Sequence, residues 1–478
     1  MYFRSLDLFN RDAPSRLRHN LRLSTADCCT ATPMVYVTVG GNFIVAALVT
    51  QVFSIDNRVY GWMASLPAWC NALQVMLVPW LARWTTSRGL SLGGAIAHAA
   101  VWGLVAVALP WLPREHAGVA ARYLFVGLVL ASLAQSFASV GWTSWVQDWL
   151  PRRVRGTYFG ARNRFASVVT VAFFLFVGWV TEHAENSILA YQLIFGLAAL
   201  LRVFSCIWQA QMVTVSPESS NLVYLGWSGQ LTRLAGEKSF IRFVLYGAVT
   251  AFVMNLSGPF YPVFAYERLD ITVDQYALLV LLATVGSAIA WPWWGRFADR
   301  HGCRNVIILS LIFCTVTDLW WPFLRAGHAL WPLYIVWVWS GGAQCGFLIG
   351  SLNWLLKLVP TQARVAGVSF NLASTSLMAA LAPIVSGSLL QAARSAGDHA
   401  TDWTFRGLLL SKPILQMLAL LLLRGVAEPE GRPFQTLLGA MRTQRQVLAT
   451  QFLPFLANFQ PSRTGRPIRR KQSSREKN

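Results

Sequence analysis

Of the 478 residues, 55% are hydrophobic and only 13% charged, against about a quarter charged in an average soluble domain. That balance excludes an ordinary water-soluble enzyme and calls for a lipid environment. The formal charge of +20 raises the question of nucleic acid. The basic residues, however, lie between and beyond apolar runs and form no folded basic face, so no nucleic-acid partner is expected.

Residues 1–26 carry Arg4, Arg11, Arg16, Arg18 and Arg22 without the compact apolar core of a cleavable leader, and read as a basic cytoplasmic arm. A helical span needs about 20 mostly apolar residues. Twelve stretches qualify: 27–53, 61–82, 90–112, 119–146, 157–181, 188–210, 240–265, 273–295, 304–325, 331–356, 365–391 and 403–423. Backbone in lipid must satisfy its own hydrogen bonds, and runs of this length are too long for barrel strands, so all twelve are expected to be helices. The expected organisation is the arm, a six-helix bundle over 27–210, a polar cytoplasmic linker over 211–239, a second bundle over 240–424, and a basic cytoplasmic tail over 425–478. Early in the tail, Phe434, Leu437, Leu438, Met441, Val447 and Leu448 fall near helical spacing. That stretch fits an amphipathic segment on the inner leaflet or a loosely ordered extension, and from Pro461 onward disorder is expected. With both termini set aside, 15 Arg and Lys lie in or beside the connections on one side and 7 on the other. The basic side is therefore assigned to the cytoplasm, together with both termini, as in a multi-pass protein of the bacterial inner membrane type.

The two expected bundles repeat one another. Trp145, Pro151 and Arg155 recur as Trp354, Pro360 and Arg364 at identical spacing, 209 residues later. Pro79-Trp80-Leu81-Ala82-Arg83-Trp84 followed by Gly89 recurs as Pro292-Trp293-Trp294-Gly295-Arg296-Phe297 followed by Gly302, 213 residues later. Repeated hydrophobic halves suit a transporter in which one half rocks against the other around a central site. Gly41-Asn42-Phe43 and Gly258-Pro259-Phe260 hold like places in the first and seventh spans, where they are expected to bend or break the helix.

Gly295, Asp299, Arg300, Gly302 and Arg304 follow the eighth span in a spacing that suits a hinge, the two glycines allowing a tight turn and Asp299 accepting hydrogen bonds from a helix N-terminus. This stretch resembles the loop signature of the major facilitator superfamily. The first-half counterpart has Thr86 where that signature has an acidic residue. Asp148, Pro151, Arg155 and Gly156 look like the family's connection between helices 4 and 5, and Pro360 and Arg364 like its partner between helices 10 and 11. The resemblance implies an all-α membrane fold of two pseudo-symmetric six-helix bundles and solute transport by alternating access, coupled to a proton or a counter-solute. It also implies that Asp299 approaches Arg155 and Gly156; capping of its own turn is the alternative.

Ionisable residues at membrane depth are costly. Asp318 and Lys412 stand at matching depths and are expected to pair, in a scaffold or a proton-coupling role. Arg202 holds the place equivalent to Lys412, with His98 as a candidate neighbour, while Asp27, Asp56 and Asp148 fall near span ends. In the helices that the resemblance places around the cavity, the polar and aromatic candidates are Asn42, Asn71, Gln74, Gln135, Trp142, Trp145, Asn255, Tyr261, Gln344, Asn353 and Asn371. Amides and tryptophans without a buried acid favour a neutral or amphipathic solute. The seven cysteines are scattered, none at metal-ligand spacing with His, and Cys303 stands at a predicted cytoplasmic turn. With no catalytic constellation and no nucleotide loop, neither an enzyme nor a cofactor is expected. The leading expectation is a secondary transporter whose partners are a small-molecule substrate, membrane lipids and protons; the alternative is a transporter-shaped receptor or scaffold that binds a ligand without moving it.

Overall fold

The computed structural model describes residues 15–426 and 428, except 82–83, 115, 151–154, 185–186, 214–226, 328 and 360–362. Among them the secondary structure is helical throughout. The first half holds α1 (Ser15–Val37), α2 (Phe43–Ala47, continued by a π-turn over Leu48–Val52), α3 (Asn57–Leu81), α4 (Ser87–Ala108), α5 (Ala117–Trp149), α6 (Arg155–His183) and α7 (Ile188–Gln211). After α8 (Trp227–Gly236) the second half holds α9 (Lys238–Ser257), α10 (Phe260–Arg268), α11 (Val273–His301), α12 (Cys303–Asp318), α13 (Trp331–Leu358), α14 (Arg364–Ala396) and α15 (Asp398–Ala419). Among the described residues ten helices are long and apolar enough to cross a membrane. The broken helix α1–α2, with Arg16, Arg18, Arg22 and Asp27, and α3, with Asn57, Asn71 and Gln74, are more polar and stand where the first two spans were expected.

The duplication extends to packing. Counting forward by eight turns each helix of the first half into its counterpart, and every major pairing follows: α1 packs on α7 and α6, as α9 does on α15 and α14; α5 packs on α3 and α4, as α13 does on α11 and α12. Contacts between halves obey the same exchange, α3 lying on α14 and α6 on α11. Small residues allow these approaches. Gly94 lies against the Ala134–Ala138 backbone of α5, and Gly286 and Gly341 against Val338 and Ala283 in the α11–α13 pair.

Three buried clusters show how the halves meet. The largest mixes both halves, with Phe43, Tyr60, Phe174 and Tyr191 beside Phe260, Phe264, Tyr276 and Phe405. The other two are confined to one half each, around Trp145, Trp149 and Tyr158 in the first and around Phe243, Ile307 and Trp354 in the second. At the end that carries residues 53–57, 268–273 and 396–398 the molecule has one shared core. At the end of the basic connections the described clusters each belong to a single half.

Several bounds differ from expectation. The first helix begins at Ser15 instead of 27, because Leu21 and Leu23 are buried and Asn20 exchanges two hydrogen bonds of 2.9 Å with Val213 after α7. Asp27 therefore stands mid-helix, not near an end. The expected polar linker over 211–239 includes a helix, α8, whose Leu234 is buried in the second-half core. Residues 1–14 and the tail from 429 onward lie outside the described residues, so the expectations for them stand as stated.

Candidate functional site

Both broken helices break at the same place, and the breaks touch. Asn42 holds the first one: its amide nitrogen donates to the Val37 and Val39 carbonyls at 2.7 and 2.8 Å, and its oxygen accepts the Val45 N–H at 2.9 Å. Gly41 turns there at a φ of +71°, and a Cβ on it would lie 2.6 Å from that of Pro259, the residue that interrupts α9–α10. Two tyrosines occupy backbone acceptors at these breaks, Tyr60 donating to the Pro259 carbonyl at 2.8 Å and Tyr266 to the Phe43 carbonyl at 3.1 Å. Around this contact Gly61 of α3 meets the Pro383 carbonyl and Gly387 of α14. Asn57, its amide oxygen turned to Arg394, accepts from Nε and Nη2 at 3.1 and 3.2 Å, and Arg394 pairs with Glu267. This end is shut.

At the other end, α11 runs straight through Gly295 to His301, so the expected two-glycine hinge is a one-residue turn at Gly302, with φ +88°. Gly295 is inside the helix, and the adjacent Phe297 and Ala298 beyond it are buried and continue its packing face. Asp299 and Arg300 are exposed. The N-terminus of α12 is capped from elsewhere: Glu428 accepts the Cys303 N–H at 2.7 Å and the Arg304 N–H at 2.9 Å, and Lys357 at the end of α13 lies 3.5 Å away. In the first half, Thr86 caps α4 itself, accepting the Gly89 N–H at 3.1 Å. Asp148 is half-buried at the end of α5, and that burial pushes its carboxyl above the usual carboxylate range. Pro151 and Pro360, and the side chains of Arg155, Gly156 and Arg364, lie outside the described residues, and with them the expected approach of Asp299 to Arg155.

The cavity candidates divide. Asn71 accepts from Ser136 of α5 at 3.0 Å, and Gln74, one turn on, is buried with its oxygen unpartnered. Gln135 is half-buried and accepts from Arg202 at 3.3 Å. Trp142 lies under the Arg162 guanidinium at 4.1 Å, and Trp145 is buried with Arg88 at 5.7 Å from its ring. Asn255 donates to Ala251 of its own helix, and Asn371 is half-buried beside Gly247. Asn353 and Gln344 are exposed, the latter accepting the Cys314 thiol at 3.9 Å.

Each half also contains a buried polar column in equivalent helices. In the first, between α1, α4 and α7, Asp27 Oδ1 accepts from Ser205 at 2.7 Å and Gln209 at 2.9 Å, and Gln209 accepts from Ser91 at 2.9 Å. Arg202 donates to Ser205 at 3.2 Å as well as to Gln135, and His98 and Trp102 both meet the Thr38 hydroxyl, at 2.7 and 2.9 Å. In the second, Lys412 of α15 lies 2.8 Å from Asp318 of α12, Tyr261 of α10 donates to the same oxygen at 3.1 Å, and the ammonium sits 4.9 Å from the Tyr261 ring centre. Asp27 was read as lying near a span end because the helix start was misplaced; the polar spacing of Ser205 and Gln209 on one helical face was the available signal for its buried role.

A profile described as MFS/sugar transport protein matches residues 28–351, and one described as Major Facilitator Superfamily matches 243–461. The chain belongs to the major facilitator superfamily. A nucleoside transporter, NupG, matches this superfamily member with a TM-score of 0.63 at 14% identity, over 87% of this chain and all of that one. A D-xylose-proton symporter matches at 0.64 and 13%, again over 87% and 100%. Among curated proteins, the citrate-proton symporter of Klebsiella pneumoniae is 27% identical over 179 residues, which are 36% of this chain and 38% of that protein. The fold is thus a multi-pass membrane bundle of the superfamily's two-half type.

Proposed function

We propose that the protein is a secondary active transporter that moves a small organic solute across the membrane by alternating access. The observation that carries this is the arrangement of cores: the halves share one core at one end and keep separate cores at the other, with the touching breaks of α1–α2 and α9–α10 between. Two bodies so joined can exchange which end is closed by a small rotation about the breaks. With the basic connections assigned to the cytoplasm, the described state is closed to the outside, and the cytoplasmic ends of the halves keep separate cores. The two-bundle organisation, with boundaries near 27–210 and 240–424, the cytoplasmic termini and placement in a bacterial inner membrane belong to this reading. The half-buried amides Asn71, Gln135 and Asn371 favour a neutral or amphipathic solute. Coupling to protons takes support from the likeness to a citrate-proton symporter and a D-xylose-proton symporter and from two carboxylates buried at depth, Asp27 and Asp318.

Reconstituted protein is expected to take up at least one solute of a broad neutral and weakly charged panel when a proton gradient is imposed across proteoliposomes. Absence of flux for every solute that binds would overturn transport. Asp299→Asn is expected to impair flux while leaving membrane insertion intact; equal flux at equal expression removes Asp299 from the gate.

A further inference from the structure

Helix α5 ends at Trp149 and α6 begins at Arg155, so Trp142 and Arg162 each stand seven residues from the connection that joins them. The Arg162 guanidinium lies over the Trp142 ring, 4.1 Å from its centre. Seven residues are about 10 Å of helix. That rise brings Arg162 within electrostatic reach of Cys28 and Cys29 of α1, so the cation is turned into the bundle among α1, α5 and α6. It is half-buried, and Trp142 packs at the edge of the first-half core.

Other cations at depth are engaged: Arg202 donates to Ser205 and Gln135, and Lys412 pairs with Asp318. Arg162 has no hydrogen bond or ion pair among the described residues, and its Nε and the Trp142 Nε1 are buried donors without an acceptor. The acid of this region, Asp27, is turned to α7, where Ser205 and Gln209 take its Oδ1. A guanidinium cannot shed its charge, and a charge held at depth without a counter-ion is costly, which marks the place for an anion that comes and goes.

The repeat sharpens this. Asn371 follows Arg364 by the seven residues that separate Arg162 from Arg155, and its Oδ1 is buried without a partner. Helix packing therefore does not demand a charge at this position, since the second half fills it with a neutral amide. Both helices border the opposite half, α6 lying on α11 and α14 on α3. Two turns beyond Cys29 on the same face of α1, about 10 Å further in, stands Tyr36. Tyr36 is half-buried at the edge of the shared core, its ring 4.6 Å from that of Phe174 of α6.

We propose that Arg162 and Trp142 bind the carboxylate of an amphipathic organic anion whose apolar or aromatic body, about 10 Å long, reaches toward Tyr36 and Phe174. The guanidinium supplies charge-assisted donors, and the indole beneath it fixes its plane. The proposal rests on the transport reading and narrows its amphipathic solute to an anion.

Isothermal titration of detergent-solubilised full-length protein at neutral pH, with octanoate and 4-phenylbutyrate each beside its neutral amide, tests it. At least one acid is expected to bind at least about tenfold more tightly than its amide. Arg162→Gln is expected to abolish that preference, and Arg162→Lys, which keeps the charge without the planar fork, to lower it about threefold. A purely structural arginine would change the melting temperature and leave the ratio of acid to amide where it was. Failure of both acids to bind, equal binding of acid and amide, or a preference unchanged in Arg162→Gln overturns the proposal; should that variant fail to fold, an unchanged preference in Arg162→Lys does so. Arg162-dependent retention of phosphatidylglycerol in native mass spectra, with neither acid bound, assigns the cation to a lipid headgroup and overturns it as well. Acid-selective binding without flux of either acid in proteoliposomes sinks the transport reading alone, and flux of a neutral solute with no preference for acids sinks this proposal alone.

Discussion

The two halves share a pattern of helix pairs yet solve the same buried-charge problem differently. In the first, Asp27 and Arg202 are joined through Ser205, and Gln209, Ser91 and Gln135 spread the charges over neutral partners. In the second, Asp318 and Lys412 meet directly, with a tyrosine on the same oxygen. A distributed network loses one bond at a time, whereas a direct pair leaves a bare charge when either partner goes. The duplication has kept helix geometry, which packing dictates, while letting the polar content diverge wherever an alternative partner lay within reach. The helix starts at the basic end differ in the same manner: α4 is capped by its own Thr86, α12 by Glu428 from beyond the last helix.

The contrast can be broken most forcefully at the direct pair. Asp318→Asn is expected to cost about 3–5 kcal/mol by stranding Lys412, read as lost monodisperse yield, with the Asp318→Asn/Lys412→Met double variant recovering a large part. Equal losses would mean that the pair is not an energetic unit. Next, Gly61→Leu is expected to wedge α3 from the Pro383 carbonyl and Gly387 at a cost of about 1–3 kcal/mol, lowering the melting temperature and lengthening the distance between spin labels attached at positions 58 and 395. An unchanged distance would mean that this contact does not hold the end shut. In the first half, Asp27→Asn keeps an acceptor for Ser205 and Gln209 and is expected to cost about 1 kcal/mol, well below the loss for Asp318→Asn. A loss as large would erase the distinction between distributed and direct pairing. Smallest, Glu428→Ala and Thr86→Ala each remove a helix cap worth about 1 kcal/mol. The Glu428 change is expected to cost the more, since it removes two backbone hydrogen bonds where Thr86 supplies one; thermal melts that rank them the other way would show that the remote cap is incidental.

Much of the architecture was readable in advance. Span length, charge asymmetry and the repeated Trp, Pro and Arg landmarks follow from the thickness of the bilayer and from duplication, and both can be counted along the chain. Gly41 and Gly258-Pro259 were legible as breaks because backbone chemistry at those residues is local. The site was less so. Asn42 looked like a cavity amide and serves the backbone of its own break. Tyr261 looked like a lining residue and is bound to Asp318.

Sequence alone therefore determined where the helices run, that they come as two copies, and that Asp318 and Lys412 stand at one depth, because each depends on spacing along a single helix or on a fixed offset between repeats. The tertiary structure decided which end is closed, that the two breaks touch, that Glu428 caps α12, and which buried polar atoms are left over. Those outcomes depend on how side chains from remote segments share the same few ångströms, and hydrogen-bond satisfaction between helices leaves no periodic trace in the chain.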